Sequence, residues 1–247
     1  LLFGKEKNQK KTICAVTNKE NKDSVKKLSH FVQQQHTVNA FSSSDSWVIL
    51  SPIEQSIKQK IEAVGVPLKD WDIQINYGIK TGCNEAFIIN TDKRNEILAN
   101  CKDEAERKRT EELIRPILRG RDIKRYGYEW AGLWLINTHN GIKGRIPRID
   151  INDYPAVKAH LDQYWDKISK RADKGDTPYN LRNCAYMDLF FQPHICWKAV
   201  GRKLAFALVE AGTFLTAPAS FISAGRYNKM VLAFLCSTVG TYFVYKN

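Results

Sequence analysis

The sequence has no Cys-x-x-Cys pair, no Pro-Pro dipeptide, no phosphate-binding glycine loop and no apolar run of the roughly 20 residues that span a bilayer. Each absence removes a class of protein. The six cysteines (Cys14, Cys83, Cys101, Cys184, Cys196 and Cys236) show no regular spacing, and none of the five histidines forms a ligand-like pair with them. Neither a disulfide framework nor a zinc site is expected. Free thiols in a reducing, cytoplasmic setting follow. The most apolar stretch, Met230 to Tyr245, is uncharged but diluted by Ser237, Thr238, Gly240 and Thr241, so it reads as a buried helix and not a membrane span.

Catalytic signatures are equally scarce. An enzyme that methylates an exocyclic amine needs an Asn/Asp-Pro-Pro-Tyr/Phe loop, and the nearest string here, Asn152-Asp153-Tyr154-Pro155, reads as a helix start. Gly141-Ile142-Lys143-Gly144 is too short for a dinucleotide turn. No serine stands in a nucleophile elbow. Metal-dependent cleavage built from an acid and an Asp/Glu-x-Lys string finds loose matches in Asp103 with Asp122-Ile123-Lys124 and in Asp92 with Glu106-Arg107-Lys108. In a chain this rich in charge such spacings arise by chance, and Asp103 and Glu106 sit in a run typical of a solvated helix. No catalytic residue and no metal ligand is expected.

What is present is apolar and basic. The 247 residues are 43% hydrophobic and 11% aromatic, enough for one large domain or two small ones. Lys plus Arg number 38 against 26 Asp plus Glu, a net charge of +12 that favours a polyanionic partner: nucleic acid first, an acidic membrane surface second. The excess is uneven, with 10 basic and 5 acidic residues from Leu1 to Lys60 but 8 and 9 from Ile61 to Thr110.

Hydrophobic periodicity predicts a strand over Thr12 to Thr17, a polar turn from Lys19 to Asp23, a short helix from Val25 to Gln34, a serine-rich linker from Asn39 to Ser46 and a strand over Trp47 to Leu50. Ser51-Pro52-Ile53-Glu54 predicts a capped helix burying Ile53, Ile57, Ile61 and Val64. Strands are expected over 71–77, 87–90 and 133–137, with a charged, interrupted helix over 91–113 between the second and third. A helix capped by Asn152 or Asp153 carries Val157, Leu161, Tyr164, Trp165 and Ile168 on one side. A long polar loop follows over 171–183, then strands over 194–200, 204–210 and 220–223, and helix from Asn228. The fold class is α+β: mixed, mainly antiparallel sheet elements with several packed helices and no complete Rossmann fold.

Four loops join cations to glycine, asparagine or aromatic residues. They hold Lys80, Thr81, Gly82 and Asn84; Arg119, Arg121, Lys124 and Arg125; Lys143, Arg145 and Arg148; and Arg171, Lys174, Arg182 and Asn183. Glycine lets backbone approach a phosphate, and cations release condensed counterions. Ordinary solvated basic loops are the plainer reading. Asp122 and Asp173 are expected to pair with neighbouring arginines.

Several ordered strings then carry a resemblance: Pro67-Leu68-Lys69-Asp70-Trp71, Gly78-Ile79-Lys80-Thr81-Gly82-Cys83-Asn84-Glu85-Ala86-Phe87, Ile114-Arg115-Pro116-Ile117-Leu118-Arg119-Gly120-Arg121-Asp122-Ile123-Lys124-Arg125-Tyr126, Tyr154-Pro155-Ala156-Val157-Lys158-Ala159-His160-Leu161 and Thr177-Pro178-Tyr179-Asn180-Leu181-Arg182. Together they resemble the TaqI-like C-terminal specificity (target recognition) domain of type IIG restriction–modification enzymes, found also in BREX-type adenine-specific DNA methyltransferases. Leu235-Cys236-Ser237 departs from the family's usual Leu-Asn-Ser, in a packing segment.

The resemblance implies a specificity domain over 47–247, preceded over 1–46 by the end of a methyltransferase domain and a linker. It implies double-stranded DNA as partner, together with catalytic domains of the same polypeptide. It implies no cofactor on this piece, with S-adenosylmethionine (and Mg2+ if a nuclease is present) on the parent, a phage-defence setting and no membrane. Leu1 in place of a starting Met fits a piece of a longer protein with no secretory segment. Arg119, Arg121, Lys124 and Arg125 are expected mostly on phosphates, and Lys80, Thr81, Asn84, Arg171, Lys174, Arg182 and Asn183 nearer the bases. The rivals are a metal-dependent nuclease around Asp103, Asp122 and Lys124, and a basic module for protein or anionic lipid.

Overall fold

Strand β1 (Thr12–Ala15) pairs antiparallel with β2 (His36–Asn39), Ile13 facing Val38, and helix α1 (Leu28–Gln35) lies between them in sequence. The computed structural model describes residues 11–17, 21–41, 48–199 and 204–246. Lys19 and Glu20 of the polar turn, most of the serine linker, Trp47 and Val200 fall outside these. Contacts divide the chain into two units, Leu1–Trp71 with Tyr242–Asn247, and Asp72–Thr241.

In the first unit α1 buries Phe31 and leaves Leu28, which the spacing puts on its inner face, exposed. Residues 48–50 form no strand. Helix α2 (Pro52–Val64) opens with the expected reciprocal cap: the Glu54 N–H donates to Ser51 Oγ at 3.4 Å, and the Ser51 N–H to Glu54 Oε2 at 2.8 Å. Its apolar stripe does not do what its spacing predicts, because Ile53 is 75% and Val64 87% exposed. Periodicity reports a stripe and not what covers it.

The second unit is mixed α+β with mainly antiparallel sheets, as the pattern predicts. One sheet has the order β3 (Gln74–Tyr77), β10 (Ser220–Ser223), β7 (His194–Trp197), β8 (Phe206–Val209), all antiparallel. The other runs β4 (Ile88–Asn90), β6 (Leu133–Ile136), β5 (Ile114–Leu118), β9 (Phe214–Leu215). There the β5–β9 pair is parallel, with Ile117 opposite Phe214. The two sheets share one apolar core, in which Phe190 stacks on Phe214 at 4.6 Å and meets Phe221 of β10 at 4.7 Å.

Short helix α3 (Asn84–Phe87) leads into β4, and the charged run splits into α4 (Thr91–Ala99) and α5 (Glu104–Leu113) at the predicted break. Helix α6 (Pro155–Asp162) begins after Tyr154, without the side-chain cap expected of Asn152 or Asp153. Asp150 instead accepts from the Asn152 N–H, one turn earlier. Val157 and Leu161 of α6 and Ile168 of α7 (Trp165–Ile168) are buried, whereas Trp165 stays exposed. At the C-terminal end the expected single buried helix is two, α8 (Asn228–Cys236) and α9 (Thr238–Lys246). Ser237 breaks them, its Oγ accepting from the Gly240 N–H at 3.0 Å. Val231 and Leu235 face inward, while Met230 and Phe234 are exposed, so α8 is amphipathic and not buried all round.

The backbone joins the sheets between 214 and 219. The Thr216 N–H donates to the Leu118 carbonyl at 2.9 Å, the Ile79 N–H to Leu215 at 2.6 Å and the Ala217 N–H to Ile79 at 3.0 Å. Gly78 lies so close to this segment that a Cβ there would fall 2.5 Å from the Thr216 carbonyl carbon. Only glycine permits that approach.

Candidate nucleic-acid interface

Three of the four basic loops meet: Arg171 joins loop 171–183 to loop 79–84, and Asn140 joins it to the segment 140–148. The Arg171 side chain is buried, with Nη1 donating to the carbonyls of Thr81 and Asp173 and Nη2 to those of Pro178 and Asn180. The guanidinium carbon lies 4.3 Å from the Phe87 ring centroid. Burial pulls its pKa down to about 10, which leaves it a cation at neutral pH. Arg171 was expected near the bases. It is instead an internal cross-brace, because a planar fork of donors can reach several loop carbonyls at once.

Loop 79–84 is shaped from within. The buried Thr81 donates to Asn84 Oδ1 at 2.6 Å and accepts from the Cys83 N–H at 3.2 Å, so its hydroxyl is used locally and not offered to a base. Gly82 takes φ 68°, and a Cβ there would press within 3.0 Å of the Asp173 carbonyl. Lys80, Gly82 and Asn84 are exposed.

Loop 171–183 is pinned to 138–140. The Leu181 N–H donates to the Thr138 carbonyl at 2.8 Å, and Thr138 Oγ1 donates to the Tyr179 carbonyl at 2.6 Å. Asn140 Oδ1 accepts from the Asp176 N–H at 2.8 Å, while its Nδ2 donates to Asp176 Oδ1 at 3.0 Å and to Asn183 Oδ1. Lys174 reaches the Ser169 carbonyl at 2.8 Å, and Arg182 pairs with Asp173 at 2.9 Å, as expected for that carboxylate.

The segment 140–148 turns back on itself, Ile142 bridging Ile146, with Gly141 and Gly144 at φ 77° and 75°. Lys143 is exposed at its tip; Arg145 pairs with Asp188, and Arg148 stands 3.5 Å from Asp176. Between this turn and residues 176–185 lies a cleft of about 820 Å3, lined by Lys143, Arg145, Arg148 and Asn183 among others. Cys184 lines it too, its thiol pushed up to about 11 by burial and so a poor nucleophile at neutral pH.

Loop 119–126 stands on other supports. Arg119 donates through Nε and Nη2 to the buried Asp122 at 3.0 and 2.8 Å, and its N–H to the same carboxylate at 2.8 Å. The expected pairing of Asp122 is thus present, and it takes up the fork that was expected on phosphate. Lys124 faces Glu129 at 3.3 Å, and Arg125 donates to the Cys236 carbonyl at 3.2 Å. Tyr126, at φ 79°, ties the loop to β8 through the Phe206 carbonyl. Arg121 is exposed and has no ion pair among the described residues.

Of the carboxylates weighed for metal chemistry, Asp103, Glu106 and Asp122 have structural partners. Asp103 caps α5, accepting from the Glu106 N–H at 2.7 Å, and the buried Glu106 accepts from the N–H groups of Lys102 and Ala156, each at 2.9 Å. Among the described residues no group of His, Cys, Asp or Glu is placed to hold a metal ion, and no helix is long and apolar enough to cross a membrane. Sequence reasoning missed Thr138, Asn140, Asp176 and Asp188. Only the Asn140-Gly141 turn dipeptide gave any local sign of them.

No family model matches the chain, and no curated protein does. Among solved structures it is similar to the type IIL restriction-modification enzyme MmeI in complex with DNA, at a TM-score of 0.45 and 14% identity, over 67% of this chain and 21% of that one. The chain thus spans about a fifth of the length of that enzyme.

Proposed function

We propose that this chain recognises duplex DNA by sequence, as the specificity domain of a type IIG restriction–modification enzyme. In this reading adenine-N6 methylation, any cleavage, and the S-adenosylmethionine and Mg2+ that serve them belong to other domains of the same polypeptide. The carrying observation is the cleft: Lys143, Arg145 and Arg148 on one wall and Asn183 on the other, on loops cross-braced to loop 79–84 by the buried Arg171. Cations there supply affinity through phosphates, and an amide held beside them supplies a base contact. The ordered motifs from Pro67 to Arg182 support the same reading.

Equilibrium binding of a duplex pool across a salt series tests it. Binding that weakens with salt and enriches a sequence is expected. Equal affinity for every duplex, or a preference for anionic vesicles at matched salt, would overturn it. For cleavage by this chain itself, Mg2+-dependent activity lost in Asp122→Asn without loss of fold is the outcome that would replace it.

A further inference from the structure

Asn183 is held so that only one end of its amide is offered to the cleft. Asn140 fixes this: its Oδ1 accepts a backbone N–H, that of Asp176, which leaves its Nδ2 as the atom facing Asn183. The atom of Asn183 that meets Asn140 must then be the acceptor, Oδ1. Its Nδ2, with two donors, has no partner among the described residues, and Asn183 is exposed on the cleft wall. On the facing wall Lys143, Arg145 and Arg148 are donors as well, and the carboxylates of Asp176 and Asp188 are engaged by Arg148 and Arg145.

We propose that Asn183 is a specificity-determining residue whose amide donates to the keto oxygen of a base, guanine O6 or thymine O4, in the major groove. In that groove the keto bases present acceptors where adenine and cytosine present amino donors, N6 and N4. A donor-only amide aimed at that position therefore meets an acceptor on guanine or thymine and an amino donor on adenine or cytosine, instead of gripping adenine with both ends. The amide is also rigidly seated. The Leu181 N–H is tied to Thr138, Asn180 Nδ2 donates to the Ile149 carbonyl at 2.9 Å, and Asn183 follows directly on the Asn140 bond. Little side-chain freedom is lost on binding, which sharpens discrimination.

This inference rests on the DNA-recognition reading, and one experiment separates the two. The full chain, Asn183→Asp and Asn183→Ala are each selected against a duplex pool with a randomised segment at fixed salt, with melting curves to confirm equal folding. Asn183→Asp keeps an acceptor for Asn140 and turns the cleft-facing donor into an acceptor. The parent chain is expected to prefer a keto base at one position by roughly five- to tenfold. Asn183→Ala should lose that preference at that position alone, and Asn183→Asp should move it to adenine or cytosine. If the parent enriches a sequence and both variants keep it unchanged at every position, the role of Asn183 is wrong while the reading stands. If the parent enriches no sequence, the reading itself fails, and this inference with it.

Discussion

Arg171 stands over the ring of Phe87, its guanidinium carbon 4.3 Å from the ring centroid, while its nitrogens hold carbonyls on both sides of the loop system. Arg171→Met keeps much of the volume and removes every donor, leaving the carbonyls of Thr81, Asp173 and Pro178 without this partner, while that of Asn180 keeps the Gly175 N–H. A loss of about 3 kcal/mol or more is expected in denaturant unfolding. Arg171→Lys should recover only part of it, since an ammonium cannot span the fork. Equal stability of Arg171→Met and the parent would remove the cross-brace.

The histidines set an acid limit. His160 Nε2 donates to the Ala86 carbonyl at 3.0 Å, and His194 Nδ1 to that of Gln192 at 2.9 Å, so in each ring the other nitrogen carries no proton. Those nitrogens, His160 Nδ1 and His194 Nε2, are buried with no partner among the described residues. Burial holds both pKa values, and that of His139, below the ordinary 6.5, with Lys93 adding to the lowering at His160 and Glu96 opposing it. The unfolded chain therefore takes up these protons at a higher pH than the folded chain. Stability is complete above about pH 6.5 and declines as pH falls below it. Melting temperature measured from pH 7.5 to 5 should show this decline, and the double variant His160→Gln, His194→Gln should flatten it.

Free and engaged cations should separate in DNA binding. Lys143→Ala is expected to reduce the slope of log affinity against log salt by about 1, with little effect on melting. Arg119→Ala should hardly move that slope but should cost about 1–3 kcal/mol of stability, because it leaves the buried Asp122 only the residue-119 N–H in place of an ion pair. The reverse pattern would return loop 119–126 to the phosphates.

Gly175 lies against Asn140, where a Cβ would come within 2.4 Å of the Asn140 Oδ1 and 2.6 Å of the Leu181 carbonyl. Gly175→Ala is expected to cost about 1–3 kcal/mol by overpacking. It should also weaken sequence discrimination more than overall DNA affinity, because the displaced group is the one that orients Asn183. Unchanged selection from a randomised pool would show that the seat is not needed.

The sequence made local features legible and long-range ones not. The Ser51–Glu54 cap, the break between α4 and α5 and the strand at 220–223 follow from signals within a few residues. Strand β9 has two residues and a parallel partner nearly a hundred positions away, and β5 is short with Pro116 at its centre, so neither showed a period. At the site, composition found the loops but could not sort their members. Arg119, Arg171 and Lys143 are alike as letters, and only the partner distinguishes a surface cation from a buried brace. Asn140 acts through a backbone N–H 36 positions away, which no local pattern encodes.

The strap from 214 to 219 holds loops 79–84 and 119–126 by main-chain bonds alone, through Leu118, Leu215, Thr216 and Ala217. Its geometry does not depend on which side chains those loops carry. Exposed residues such as Lys80 and Arg121 can thus be exchanged while their anchor points stay put. Such a frame favours divergence: new side chains can be tried at the tips without re-inventing the fold beneath them.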